Sequence, residues 1–127
     1  MRPRYADLFK RMCDPDPVKQ DAAFDAVLFD RAEALPDVVE CYQRSMGDPL
    51  LRYFMVQLMA FSESPAAVGP LLAALDDPDP AVRTEACRGL EDLAPPGALS
   101  ALRARLNDVD PHVREAAADA LDALHAS

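Results

Sequence analysis

Leu75-Asp76-Asp77-Pro78-Asp79-Pro80-Ala81-Val82-Arg83-Thr84-Glu85-Ala86 reads as the end of one helix, a turn and the start of another. The start is chemically specified. Asp79 at an N-cap accepts hydrogen bonds from the free backbone N–H groups of a first helical turn. Pro80 at the first helical position gives up only an N–H that would be orphaned there. The segment recurs 31 residues on as Leu106-Asn107-Asp108-Val109-Asp110-Pro111-His112-Val113-Arg114-Glu115-Ala116-Ala117. A third copy of its Asp-Pro-x-Leu/Val-Arg core, Asp48-Pro49-Leu50-Leu51-Arg52, stands 31 residues upstream of Asp79. A fixed period of this length marks a repeat architecture, in which each unit buries its apolar face on the next.

Apolar residues follow each start at helical spacing. They are Leu51, Met55, Leu58 and Met59 in one copy, Val82, Ala86, Gly89, Leu90 and Leu93 in the next, and Val113, Ala117, Ala120, Leu121 and Leu124 in the last. Such rows form one face of an amphipathic helix. A second helix precedes each start, because Pro70-Leu71-Leu72-Ala73-Ala74-Leu75 aligns with Ala101-Leu102-Arg103-Ala104-Arg105-Leu106 in the same register. Back-to-back helices with short Asp/Pro turns are αα-hairpins. Asp14-Pro15-Asp16-Pro17 repeats the turn once more with one residue inserted, but Val18-Lys19-Gln20 breaks the Leu/Val-Arg pattern. End repeats are commonly atypical because one face has no neighbour. The spacing therefore predicts one all-α domain over 1–127, an α-solenoid of four helix pairs: 4–13 with 17–31, 35–46 with 49–61, 66–76 with 80–93, and 98–107 with 111–125. The repeats run 4–31, 35–61, 66–93 and 98–125.

Charge narrows the partners. The formal net charge is −9, and neither half of the chain is basic. Gripping a phosphate backbone requires Lys and Arg to release counterions, so nucleic acid is not an expected partner. Anionic membranes are not expected for the same reason, and no apolar run approaches a membrane span. A protein partner, including a basic one, fits this charge. Cys13, Cys41 and Cys87 lie far apart with no CxxC pair, and the first residues lack the apolar core of a signal peptide. Both points lead to the expectation of reduced thiols in the cytoplasm. His112 and His125 have no partner at metal-ligand spacing. No Gly-rich phosphate loop or GxSxG elbow is present among only four glycines. No cofactor and no catalytic activity are expected.

The two segments quoted first resemble HEAT-like repeats of the short type named after phycobilisome lyases. The resemblance implies an α-solenoid whose second helices line the concave side, with Asp and Arg forming a ladder along the stack. It implies no single function, because the fold hosts scaffolds, chromophore lyase subunits, a di-iron hydroxylase and DNA glycosylases. The hydroxylase type requires His-Glu pairs on facing helices, whereas His112 precedes Val113 and His125 precedes Ala126. The glycosylase type requires a basic groove, and this chain is acidic.

The register also locates candidate binding residues. Tyr53 stands where the later copies have Thr84 and Glu115, and Phe54 where they have Glu85 and Ala116. These aromatics beside Arg52 have the composition of an interface hot spot; a helix apolar all round is equally suited to burial between repeats one and three. The expected partner-binding set is Arg52, Tyr53, Phe54 and Gln57, with Glu85, Arg88 and Asp119 on neighbouring ridges. The resulting expectation is a non-enzymatic module that engages another protein on its concave face. Alternatives are an acidic inhibitor or immunity-type protein against a basic toxin or enzyme, and an accessory subunit of a bilin lyase. Arg52, Arg83 and Arg114 are expected to pair with Asp48, Asp79 and Asp110, within a repeat or across to its neighbour. The expected state is a monomer or weak homodimer.

Overall fold

The computed structural model describes residues 1–126. Among these are eight α-helices and no strand: α1 (Pro3–Arg11), α2 (Pro17–Phe29), α3 (Arg31–Arg44), α4 (Pro49–Phe61), α5 (Val68–Ala74), α6 (Pro80–Leu93), α7 (Ala98–Arg105) and α8 (Pro111–Ala126). A 3₁₀ turn, Pro65–Ala67, leads into α5. Four helices start on prolines behind an aspartate cap. Asp16 accepts from Val18 N–H at 3.0 Å, Asp48 from Leu51 at 3.1 Å, Asp79 from Ala81 at 2.8 Å and Asp110 from His112 at 2.8 Å. Each cap of this kind is worth about 1 kcal/mol.

The pairs α1–α2, α3–α4, α5–α6 and α7–α8 stack in chain order. α4, α6 and α8 pack side by side as a continuous inner row, while the outer helices touch one another far less. A row packed more tightly on one side than on the other curves towards that side, which makes the inner helices concave. Gly89 shows how close the row is. A Cβ placed there would lie 2.9 Å from Ala60 Cβ on α4, so a larger residue would force α6 away. One apolar core runs through the stack from Tyr5 and Phe9 on α1 to Leu121 on α8.

α3 departs from the sequence expectation. It begins at Arg31 directly after α2, with Asp30 as the only joint, and carries Pro36 inside it. Pro36 removes just the hydrogen bond to the Ala32 carbonyl, and Ala32 is exposed, so the interruption is tolerated at the surface. Arg2 ties this stretch down, donating to Asp37 at 2.9 Å and to the Glu33 carbonyl at 2.7 Å.

The ladder exists, but its acids are not the expected ones. Asp48, Asp79 and Asp110 are occupied as caps. Arg52 instead makes a two-pronged bond to Asp77, at 3.0 and 3.3 Å. Arg83 does the same with Asp108, at 3.0 Å on both prongs. The remaining guanidinium nitrogen of each Arg donates to turn carbonyls, Ser45 for Arg52 at 2.9 Å and Asp77 for Arg83 at 2.8 Å. The physical reason lies in the cap geometry. A carboxylate that accepts from the first turn of its own helix points along that helix. The aspartate two residues earlier points back at the preceding pair. Asp77 and Asp108 each also accept the N–H of the capping residue, Asp79 or Asp110, at 2.9 Å.

Candidate functional site

The concave row brings four of the expected residues together. Gln57 on α4 donates to the Tyr53 hydroxyl at 3.2 Å. The Tyr53 hydroxyl donates across to Glu85 on α6 at 3.3 Å, and Arg88 donates to the same Glu85 oxygen at 3.1 Å. Glu85 is thereby held between a phenol from one ridge and a guanidinium from its own. Burial, and then the Glu85 carboxylate beside it, push the Tyr53 phenol up, so it stays a neutral donor. Arg88 is exposed at its tip.

A groove of about 320 Å³ opens over this network, between Tyr53, Ala81, Glu85 and Arg88 on one side and His112 on the other. It continues between α6 and α8, where Glu91, Asp92, Glu115 and Asp119 line it with Arg88 and His112. Asp119 is exposed and lies in this second stretch, not in the Tyr53 network. Four carboxylates against one Arg and one His give the groove between α6 and α8 an acidic lining.

Two expected residues are placed otherwise. Arg52 is 2 % exposed, and its donors are spent on Asp77 and the Ser45 and Met46 carbonyls, so it has no face to offer a partner. Its place next to Tyr53 in sequence is consistent with this, because successive helical residues point about 100° apart. Phe54 is half-buried, edge-on to Phe24 of α2 at 6.1 Å and to Tyr53 at 6.0 Å. It joins the first pair to the second instead of standing free. Phe24 also meets Phe61 at 6.5 Å, and Phe61 is exposed. Sequence reasoning missed Phe24, Phe61 and His112. The 31-residue register carries His112, which aligns with Ala81. The inserted residue before the second repeat hides Phe24, which aligns with Val56 and Cys87 once it is allowed for.

Burial pushes all three thiols up from the usual range. Cys87 is fully buried, and that burial pushes it up to about 11. The residues do not fit a di-iron site. The chain has two histidines, neither followed by Glu, and among the described residues no group of three His, Cys, Asp or Glu side chains is arranged to hold a metal.

An inner row of capped helices, closed by buried Arg–Asp rungs and presenting a shallow groove, defines a helical-repeat solenoid. The model for HEAT repeats matches residues 43–122, more than half of the chain, and the chain belongs to the HEAT repeat family. Among solved structures, human deoxyhypusine hydroxylase in complex with glycerol is similar, at 27 % identity with a TM-score of 0.71. The match covers 97 % of this chain and 44 % of that one, so the chain spans under half the length of the enzyme. No curated protein matches the sequence. Among the described residues no helix is long and apolar enough to cross a membrane.

Proposed function

We propose that this chain is a non-enzymatic binding module whose concave groove engages a basic segment of another protein. The Tyr53–Glu85–Arg88 network, with Gln57 behind it, carries this reading. It holds one carboxylate and one guanidinium 3.1 Å apart on the inner row, an arrangement by which a groove can select a partner without catalysis. The carboxylates at Glu91, Asp92, Glu115 and Asp119 extend it with an acidic track that speeds the approach of a cationic partner. The track also favours a more specific version, an inhibitor that covers the basic surface of a toxin or enzyme. Similarity to an enzyme twice this length brings no catalytic group to the groove.

A photo-crosslinking side chain introduced at Arg88 or Asp119, in the native host, is expected to capture one and the same protein. The same probe at exposed Val109 on the outer turn is expected to miss it. Binding of that protein should weaken with salt, and Glu85→Lys or Asp119→Lys should weaken it by roughly tenfold each. Equal capture from Val109, or binding indifferent to both charge reversals, overturns the groove as the site.

A further inference from the structure

The Arg–Asp ladder leaves one half-rung at each end of the stack. Arg52 reaches forward to Asp77 and Arg83 to Asp108. In the same register the next donor is Arg114, on the outward side of α8. It is preset like the others: its guanidinium donates to the Asp108 carbonyl at 2.8 Å, as Arg83 donates to that of Asp77 at 2.8 Å. Yet Arg114 is exposed and enters no ion pair among the described residues. At the opposite end Asp14 holds the position of Asp77 and Asp108. Its carboxylate accepts from Asp16 N–H at 2.9 Å, the bond that both ladder acids make at 2.9 Å. It too enters no ion pair among the described residues.

The surfaces around the two half-rungs correspond to the two sides of an internal junction. On the α7–α8 side Leu106 is 40 % exposed, whereas Leu75 in the same register is 3 % exposed beneath the next pair. Val109 is 90 % exposed, and half-buried Ala118 stands where Cys87 is fully covered. On the α1–α2 side a groove of about 510 Å³ holds Asp14 between Leu8, Ala22, Ala26, Arg11 and Lys19. Ala26 shares a register with Leu58, Gly89 and Ala120, and at Gly89 α6 meets α4 closely.

We propose that copies of this chain stack head to tail, the α7–α8 face of one on the α1–α2 face of the next, with Arg114 closing a rung on the partner's Asp14. The occupant of each end is thus a second copy, chosen because donor and acceptor are both preset and opposite in charge. The contact is heterologous, since the two faces differ. It therefore adds copies in a line instead of closing a dimer. Neither Arg114 nor Asp14 lines the concave groove, so the proposal stands apart from the function proposed above.

Sedimentation velocity across a concentration series tests it. The wild-type chain is expected to pass beyond the mass of a dimer as concentration rises. Arg114→Asp and Asp14→Arg are each expected to stay monomeric while keeping the wild-type circular dichroism spectrum. An equimolar mixture of the two is expected to assemble again, because every junction regains one Arg and one Asp. Leu106→Glu should block assembly from the same face by different chemistry. If Asp14→Arg loses helicity, Asp14→Asn keeps the acceptor for Asp16 N–H and should weaken assembly by roughly tenfold. A wild-type chain monomeric throughout, an Arg114→Asp variant that assembles like wild type, or folded variants that do not complement each other would each overturn the proposal.

Discussion

Asp77 is a carboxylate without solvent that receives four hydrogen bonds: two from Arg52, one from the Tyr42 hydroxyl at 2.7 Å and one from Asp79 N–H. Burial alone would push this carboxyl up. The Arg52 bond, the Asp79 amide and the Tyr42 hydroxyl outweigh it and hold the group below the usual carboxylate range. Asp108 is held low in the same way by Arg83 and the Asp110 amide. A depressed folded-state value means that the native state binds protons less readily than the unfolded chain. Both acids therefore contribute stability in full above the unfolded value, about 4, and lose it as pH falls through their folded values. Removing one partner of a buried pair leaves the other charge stranded, at a cost of about 3–5 kcal/mol. Arg52→Ala is accordingly expected to lower stability by that amount at neutral pH, measured by urea unfolding. Asp77→Asn is expected to do likewise and also to flatten the fall in stability below the unfolded carboxylate value of about pH 4. An Asp77→Asn variant with an unchanged acid profile would remove Asp77 as a source of that dependence.

The helices themselves were largely legible in the sequence, because cap and proline chemistry is local. Each of the Asp-Pro pairs at 16–17, 48–49, 79–80 and 110–111 needs only its own first turn to act. What depends on packing was less legible. The acids at 77 and 108 meet arginines 25 residues away, and nothing at the turn separates them from the caps two residues on. Phe24 and Phe54 meet across a junction where the register slips by one residue, so alignment alone does not bring them together. The end of α6 was also unreadable: Ala94 takes a left-handed conformation, φ 46° and ψ 49°, while its N–H bonds to the Leu90 carbonyl at 2.9 Å. This is a position glycine normally fills, and an alanine there is strained by about 1–2 kcal/mol. Part of that relief is offset by the freedom glycine gives the unfolded chain. Ala94→Gly is therefore expected to stabilise the protein by about 0.5–1 kcal/mol, read as a higher thermal midpoint; a lower midpoint would show that the left-handed cap is not strained.

Across the molecule the stack is not uniform. α4, α6 and α8 are joined by close packing and two buried rungs, whereas α2 packs far less against α4. The register explains the difference. At the first junction the donor position holds Gln20 and the acceptor position holds Met46, so both halves of the rung are missing together. Gln20 keeps only the local half, donating to the Asp14 carbonyl as the ladder arginines donate to theirs. The first pair is joined to α3 by part-buried ion pairs as well as by its core residues: Arg4 with Asp30 at 2.6 Å, Arg2 with Asp37 at 2.9 Å and the N-terminal amine with Glu40 at 3.0 Å. None of these pairs ties α2 to α4, and a repeat array opens first at its weakest junction. Amides of α2 are therefore expected to exchange with solvent faster than those of α4 and α6. Installing the missing rung with Gln20→Arg and Met46→Asp should slow that exchange. Because Met46 lies at the surface, the coupling between the two substitutions should be modest, about 1 kcal/mol in a double-mutant cycle. Either substitution alone should give no gain, since each supplies one charge without its partner. Zero coupling, or slower exchange with Met46→Asp alone, would mean that the looseness of the first junction comes from its packing and not from the absent rung.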